Sequence, residues 1–283
     1  MWHVFGSSVQ GASHVRTNVP NQDAIDWLAW HSRDQQFIIL ALADGHGNAR
    51  YFRSGTGAQR AVDVTKTLLK ELGRTYSQSQ NLAALKQMAE QQLPHILVRQ
   101  WNDVIDQHLA ATPFTTQELE VLSPDFQARL TGNPRLAYGT TLVATLLTQT
   151  FILYVQLGDG DILTVDEAGL VANAPLVVDP HLTGNTTTSL CMADAWRFVR
   201  TYLQPLSEHT PAMLMLSTDG YANSFEQQSG FMAAAKDIFA IVREESDSGV
   251  STLRANLPNW LRATSDGGSG DDISLGIIYR TAH

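Results

Sequence analysis

Residues 139–165, GTTLVATLLTQTFILYVQLGDGDILTV, hold three apolar, β-rich runs parted only by Thr-Gln-Thr and by Gly-Asp-Gly-Asp. Links this short leave no room for the crossover that parallel neighbours need. The stretch therefore predicts consecutive strands in an antiparallel meander. Three further runs read as strands: FIILALA at 37–43, AMLMLS at 212–217 and ISLGIIYR at 273–280. Apolar residues recur at helical spacing over 56–72 (Ala58, Ala61, Val62, Val64, Leu68, Leu69, Leu72), with Gly73 as the expected stop. A second helical stretch runs over 81–109 and should kink or divide at Pro94. Residues 111–136 are less regular, with one short helical candidate. Helices are also expected near 192–204, over 231–243 and over 249–262. No repeat or composition break marks a linker, so the pattern describes one α+β domain over 1–283, an antiparallel sheet with helices packed outside it.

Charge narrows the function. Nineteen basic against 28 acidic residues give a net charge of −9, which argues against a nucleic-acid surface. An acidic chain that handles an anion such as phosphate needs a cation to help it. The single cysteine, Cys191, cannot form an internal disulfide and reads best as a small buried residue. The amino terminus lacks a basic segment followed by an apolar one, and no apolar stretch approaches the ~20 residues of a membrane span. The expectation is a cytoplasmic protein with no nucleic-acid or membrane partner.

The carboxylates share a position in this pattern. Asp44 follows FIILALA, Asp219 follows AMLMLS, Asp271 and Asp272 precede ISLGII, and Asp159 lies where another strand turns back. If these strands lie in facing sheets, their tips meet at one mouth. Clustered acids repel one another unless a cation compensates, and an oxygen-only set suits magnesium or manganese. Taken singly, ADGHG, GDGD, TDGY or GDDIS is an ordinary Asp-Gly turn. All four, each abutting an apolar run, point to a metal site.

The ordered set SHVRTNVPNQDA, ALADGHG, GTTLVATLL, VQLGDGDILTV, GNTTTSL, LMLSTDG and SGDDISLGII resembles the bacterial branch of the type 2C metal-dependent protein phosphatases. The resemblance runs nearly end to end. It implies two central antiparallel sheets flanked by helices, an α-β-β-α sandwich, with two Mn²⁺ or Mg²⁺ ions at one end and a weaker third in some members. By resemblance, Asp44 bridges both metals and the Gly45 carbonyl completes one. Asp219 and Asp271 bind the other, and Asp159 with Asp219 can hold the third. Asp23 orients metal-bound water, and Asp272, where the family often has Asn, supports the site. His46 is the proposed general acid. The implied reaction is hydrolysis of phosphoserine and phosphothreonine in proteins by water bridging the metals, without a covalent enzyme intermediate. The implied partners are a phosphorylated protein and a cognate serine/threonine kinase, and the implied state is a monomer.

The chain departs from the pattern in several places. Gln22 stands where many members have Glu, and Asn18 stands where many have a phosphate-gripping arginine. Arg16 is then the candidate phosphate ligand, because a guanidinium can take two phosphoryl oxygens at once; a solvated loop arginine is the alternative. Asp161 occupies the arginine position of a common Gly-Asp-Ser-Arg pattern. Residues 166–190 correspond to a variable flap that helps select substrates. The helical elaboration at 81–135 serves packing or, alternatively, a partner. Two rival readings remain at this stage, a pseudophosphatase that binds without turnover and a small-molecule phosphomonoesterase.

Overall fold

The computed structural model describes residues 1–32, 35–76, 81–182, 187–206, 210–243 and 247–281. In chain order it forms β1 (Trp2–Val9), α1 (Ala12–Thr17), β2 (Ala24–Ser32), β3 (Gln35–Ala43) and α2 (Ser54–Tyr76). The helical elaboration follows as α3 (Leu82–Gln91), α4 (Leu93–Ala111), α5 (Thr116–Glu120) and α6 (Pro124–Gly132). Next come β4 (Leu142–Leu147), β5 (Phe151–Leu157), β6 (Asp161–Val165), β7 (Val171–Asn173), β8 (Arg200–Pro205) and β9 (Met213–Ser217). The chain closes with α7 (Asp219–Ala222), α8 (Gln228–Arg243), α9 (Asp247–Gly267) and β10 (Ile273–Arg280).

Two antiparallel sheets result, ordered β1-β10-β9-β6-β7 and β2-β3-β4-β5-β8. Alternation along β3 explains the layers. Ile38, Leu40 and Leu42 point into the space between the sheets, where they meet Val143, Tyr154, Leu214 and Ile278. Ile39, Ala41 and Ala43 point the other way, onto the α2 residues Ala58, Ala61 and Val62 and the α4 residue Trp101. Both faces are covered, so the strand reads as a continuous apolar run. On the far side, Leu163, Met213, Met215, Leu275 and Ile277 pack under Ile238 and Phe239 of α8 and Leu253 and Leu257 of α9. The expected α-β-β-α sandwich is the observed one.

Four local expectations need correcting. β4 and β5 pair as a hairpin, but β6 leaves that sheet and pairs with β9 and β7 in the other. The meander is therefore broken at Gly158-Asp159-Gly160. Gly158 sits at φ +92°, a left-handed conformation that only glycine adopts without strain, and it turns the chain from one layer to the next. The helix expected near 192–204 is a short 3₁₀ turn at Ala195–Phe198 followed by β8, which covers the free edge of β5. Gly73 does not stop α2, which runs on to Tyr76. The irregular stretch 111–136 holds α5, α6 and a 3₁₀ turn at Pro134–Tyr138 rather than one short helix. Pro94 falls in the first turn of α4, where it lacks no hydrogen bond, and the helical stretch divides just before it.

Candidate active site

The sheet switch brings the acid-bearing strand ends to one place. Asp44 leaves β3, Asp159 lies in the β5–β6 switch, Asp161 opens β6, Asp219 opens α7 just beyond β9, and Asp271 precedes β10. Together with His46, Tyr51, Arg129 and Ser189 they line an open cleft of about 890 Å³. Carboxylate oxygens of Asp44, Asp159 and Asp219 lie within 4.8 Å of one another at its base.

The backbone at Asp44 is fixed by the GTT segment. Thr140 Oγ1 and the Thr141 N–H donate to the Asp44 carbonyl at 2.8 and 2.9 Å, and the Asp44 N–H donates to Thr141 Oγ1 at 3.1 Å. Gly45, buried, bridges to Thr140 as an isolated ladder step. Gly220 follows Asp219 where a Cβ would stand 2.1 Å from the Asp272 carbonyl oxygen, so only glycine lets the Asp219 and Asp272 turns approach this closely.

Electrostatics show that the acids are strained without a cation. Burial, then the charges of Asp23 and Asp219, push Asp44 well above the usual carboxylate range. Burial and Asp159 push Asp219 up to about 6, while a hydrogen bond shared with Asp44 eases it. Burial, Asp219 and Asp159 push Asp161 up to about 7. Two buried oxygens, Asp159 Oδ1 and Gln22 Oε1, have no hydrogen-bond partner among the described residues. Oxygen-only donors, mutual repulsion and unpartnered acceptors all fit hard divalent cations.

The other expected residues fall around this base. Asp271 lines the cleft wall, with Oδ1 accepting the Asp272 N–H at 2.8 Å, and burial raises it. Asp23 stands behind the lining residues and accepts the Thr218 hydroxyl at 2.7 Å. Burial pushes it well upward against that hydrogen bond, with further repulsion from Asp272. Asp272 is buried and accepts the N–H groups of Gly11 and Gln22, each at 2.7 Å, with His14 Nδ1 2.9 Å away. It ties the SHVRTNVPNQD segment to β10. His46 packs edge-on against Tyr51 at 4.8 Å, and burial lowers it to about 4 against the pull of Asp159. Arg16 is exposed on α1, near Gly270, and is not among the residues that line the cleft. Cys191 is buried beside Ser189 at the cleft edge, where burial raises its thiol. The flap contributes Thr187 and Ser189 to the lining; its residues 183–186 lie outside the described set.

Sequence reading missed Arg129, the one arginine or lysine among the described residues that line the cleft, because α6 carries no motif that ties it to the strand ends. It also left Asp161 as a substitution rather than part of the acidic wall.

The sequence model of the family described as Protein phosphatase 2C matches residues 10–262 of this chain. The chain belongs to the protein phosphatase 2C family. No curated protein matches it in sequence. Among solved structures, the fold of this 2C-family chain is similar to the S. agalactiae serine/threonine phosphatase, at 17% identity and TM-score 0.56, over 99% of each chain. It is similar to the Mycobacterium tuberculosis phosphatase PstP/Ppp at 15% identity and TM-score 0.56, again over 99% of each. The PstP catalytic domain in complex with 2 manganese ions matches at 16% identity and TM-score 0.55, over 99% of each. The 2C-family chain thus shares its whole fold with proteins that have diverged far in sequence.

Proposed function

We propose that this protein hydrolyses phosphoserine and phosphothreonine in proteins, using manganese or magnesium held at the base of the cleft. The observation that carries the reading is the half-buried triad of Asp44, Asp159 and Asp219 in a chain of the 2C family. Asp44 and Asp219 are the assigned metal ligands, with Asp271 on the adjoining wall, the Gly45 carbonyl beside Asp44, and Asp159 serving a further ion. Bound there, such cations acidify a water molecule and offset phosphoryl charge. Asp23, whose carboxylate accepts the Thr218 hydroxyl, is assigned to orient water at the cations. The setting we assign is a reducing compartment such as the cytoplasm, in keeping with the buried free thiol of Cys191. Among the described residues no helix is long and apolar enough to cross a membrane. The phosphoprotein substrate is assigned to a serine/threonine kinase as its source.

His46 is assigned to protonate the departing alkoxide. Burial lowers its imidazole to about 4 against the pull of Asp159, so the proton it donates would have to be taken up with the bound substrate. His46→Ala should lower turnover of a phosphothreonine peptide by about 10²–10⁴-fold. The loss on p-nitrophenyl phosphate should be much smaller, because that leaving group departs unprotonated. Equal losses on both would remove the general-acid role. The same assay tests the substrate class, since a manganese-loaded enzyme that cleaves only the nitrophenyl ester would be a small-molecule phosphomonoesterase.

A further inference from the structure

The rim of the cleft carries a second feature that the chemistry at its base does not use. Arg129 of α6 lines the cleft beside Tyr51, and its guanidinium carbon lies 5.5 Å from the centre of the Phe126 ring. Arg50, in the 3₁₀ turn Ala49–Tyr51 that follows the Asp44–Gly47 segment, lies 5.6 Å from the centre of the same ring. Phe126 is buried, whereas both arginines are exposed. No described carboxylate pairs with either guanidinium. The Asn48 side chain caps the Arg50 turn at 3.0 Å, and Ser123 caps α6.

Stacking on an aromatic face holds a guanidinium in place without neutralising it, so each keeps its charge and its donors for a ligand. Placement tells which ligand. The cleft base is a wall of five lining carboxylates, Asp44, Asp159, Asp161, Asp219 and Asp271, and the chain carries net charge −9. The phosphoryl group belongs at that base, with the cations. Arg129 lines the cleft with Tyr51, the ring packed on His46, and Arg50, next to Tyr51 in the chain, lies just outside the lining. Both are therefore on the His46 side, the side assigned here to the leaving serine or threonine. An anion reaching them is carried by the substrate polypeptide, not by the group being transferred.

We propose that Arg50 and Arg129, seated together on Phe126, form a docking subsite for acidic side chains that flank the phosphorylated residue of the substrate. The inference rests on the phosphatase reading above and deepens it: the helical elaboration supplies Arg129 and so takes part in substrate choice.

The test uses the manganese-loaded protein and two phosphothreonine peptides that differ only in Glu or Gln at the flanking positions. The parent should favour the acidic peptide about three- to fivefold in kcat/KM, mainly through KM, and added salt should erode the preference. Arg129→Gln and Arg50→Gln should each bring the ratio close to one, and Arg129→Lys should retain part of it. A parent without preference, or a preference that survives both glutamine variants, overturns the proposal. Loss of preference in Arg16→Gln alone does so as well. If neither peptide is hydrolysed, the phosphatase reading fails, and fluorescence anisotropy with the same labelled peptides still decides the subsite. Tighter binding of the acidic peptide that is lost in Arg129→Gln supports it, and equal binding overturns it.

Discussion

Asp219→Asn should abolish high-affinity manganese binding and lower phosphopeptide turnover by on the order of 10²–10³-fold or more. The side chain is isosteric, so packing at the start of α7 is kept, including the Asn223 amide that donates to Asp219 at 2.9 Å. What changes is charge. Asp219 shares a hydrogen bond with Asp44 and lies within 4.8 Å of Asp159, so it completes the oxygen set on which a cation depends. Asp44→Asn should behave alike, since burial and then the charges of Asp23 and Asp219 raise Asp44 and it belongs to the same oxygen set. Calorimetric titration with manganese and steady-state turnover check both variants. An Asp219→Asn protein that binds manganese as the parent does would remove the metal centre from this place in the fold.

The second large effect is on stability, and its sign depends on the cation. Without metal, Asp161 and Asp219 titrate at about 7 and about 6 in the folded protein, against 3.8 in a free chain. A folded value above the unfolded one means that the native state holds more protons in between. The destabilisation is then complete above about pH 7 and is relieved as pH falls towards 5. Asp44 and Asp23, both pushed well upward, act in the same direction. His46 opposes them, because burial keeps it neutral to about 4 while the unfolded imidazole charges below 6.5. Burial lowers His3 and His108 as well, so three imidazoles stand against five carboxylates once Asp271 is counted, and the acids still set the net direction. Glu118, held down to about 2 by Arg53, gives stability that is lost only below 4.5, outside this window. Metal-free protein should therefore melt higher at pH 5.5 than at pH 7.5. Saturating manganese at pH 7.5 should raise the melting temperature by on the order of 5–10 °C. It should also reverse the pH trend, because ligating carboxylates lose the ion as they are protonated. Melting temperatures that ignore manganese, or that drop in the metal-free protein as pH is lowered from 7.5 to 5.5, would contradict the electrostatic account.

How much of this was legible in the sequence follows from where each signal is stored. The acids could be read because each Asp lies within a residue or two of an apolar run that is buried on both faces, as in FIILALA-Asp44 and MLMLS-Thr-Asp219. Local order alone carried that information. The move of β6 to the second sheet could not be read, since a Gly-Asp-Gly link serves a hairpin or a sheet switch equally well and only the pairing with β9 decides. β1 went unread because half-buried residues dominate it and its partner, β10, lies at the other end of the chain. The stretch expected as a helix near 192–204 holds β8 because its residues pair with the free edge of β5, a partner distant in the chain. Arg129 had no local signal at all. It reaches the cleft only because α6 packs through Phe126 and Leu130 onto the core around α4 and Tyr138. The Arg16 assignment shows the converse, since nearness in sequence to the NQD motif did not bring its side chain into the cleft.

The most direct test of the central claim is phosphate release from a phosphothreonine protein or peptide by the purified chain, measured after chelation and again after manganese is restored. Release that disappears with the chelator, returns with manganese and is absent in Asp44→Asn is the predicted result. Equal release with and without manganese, or none under either condition, would contradict the account.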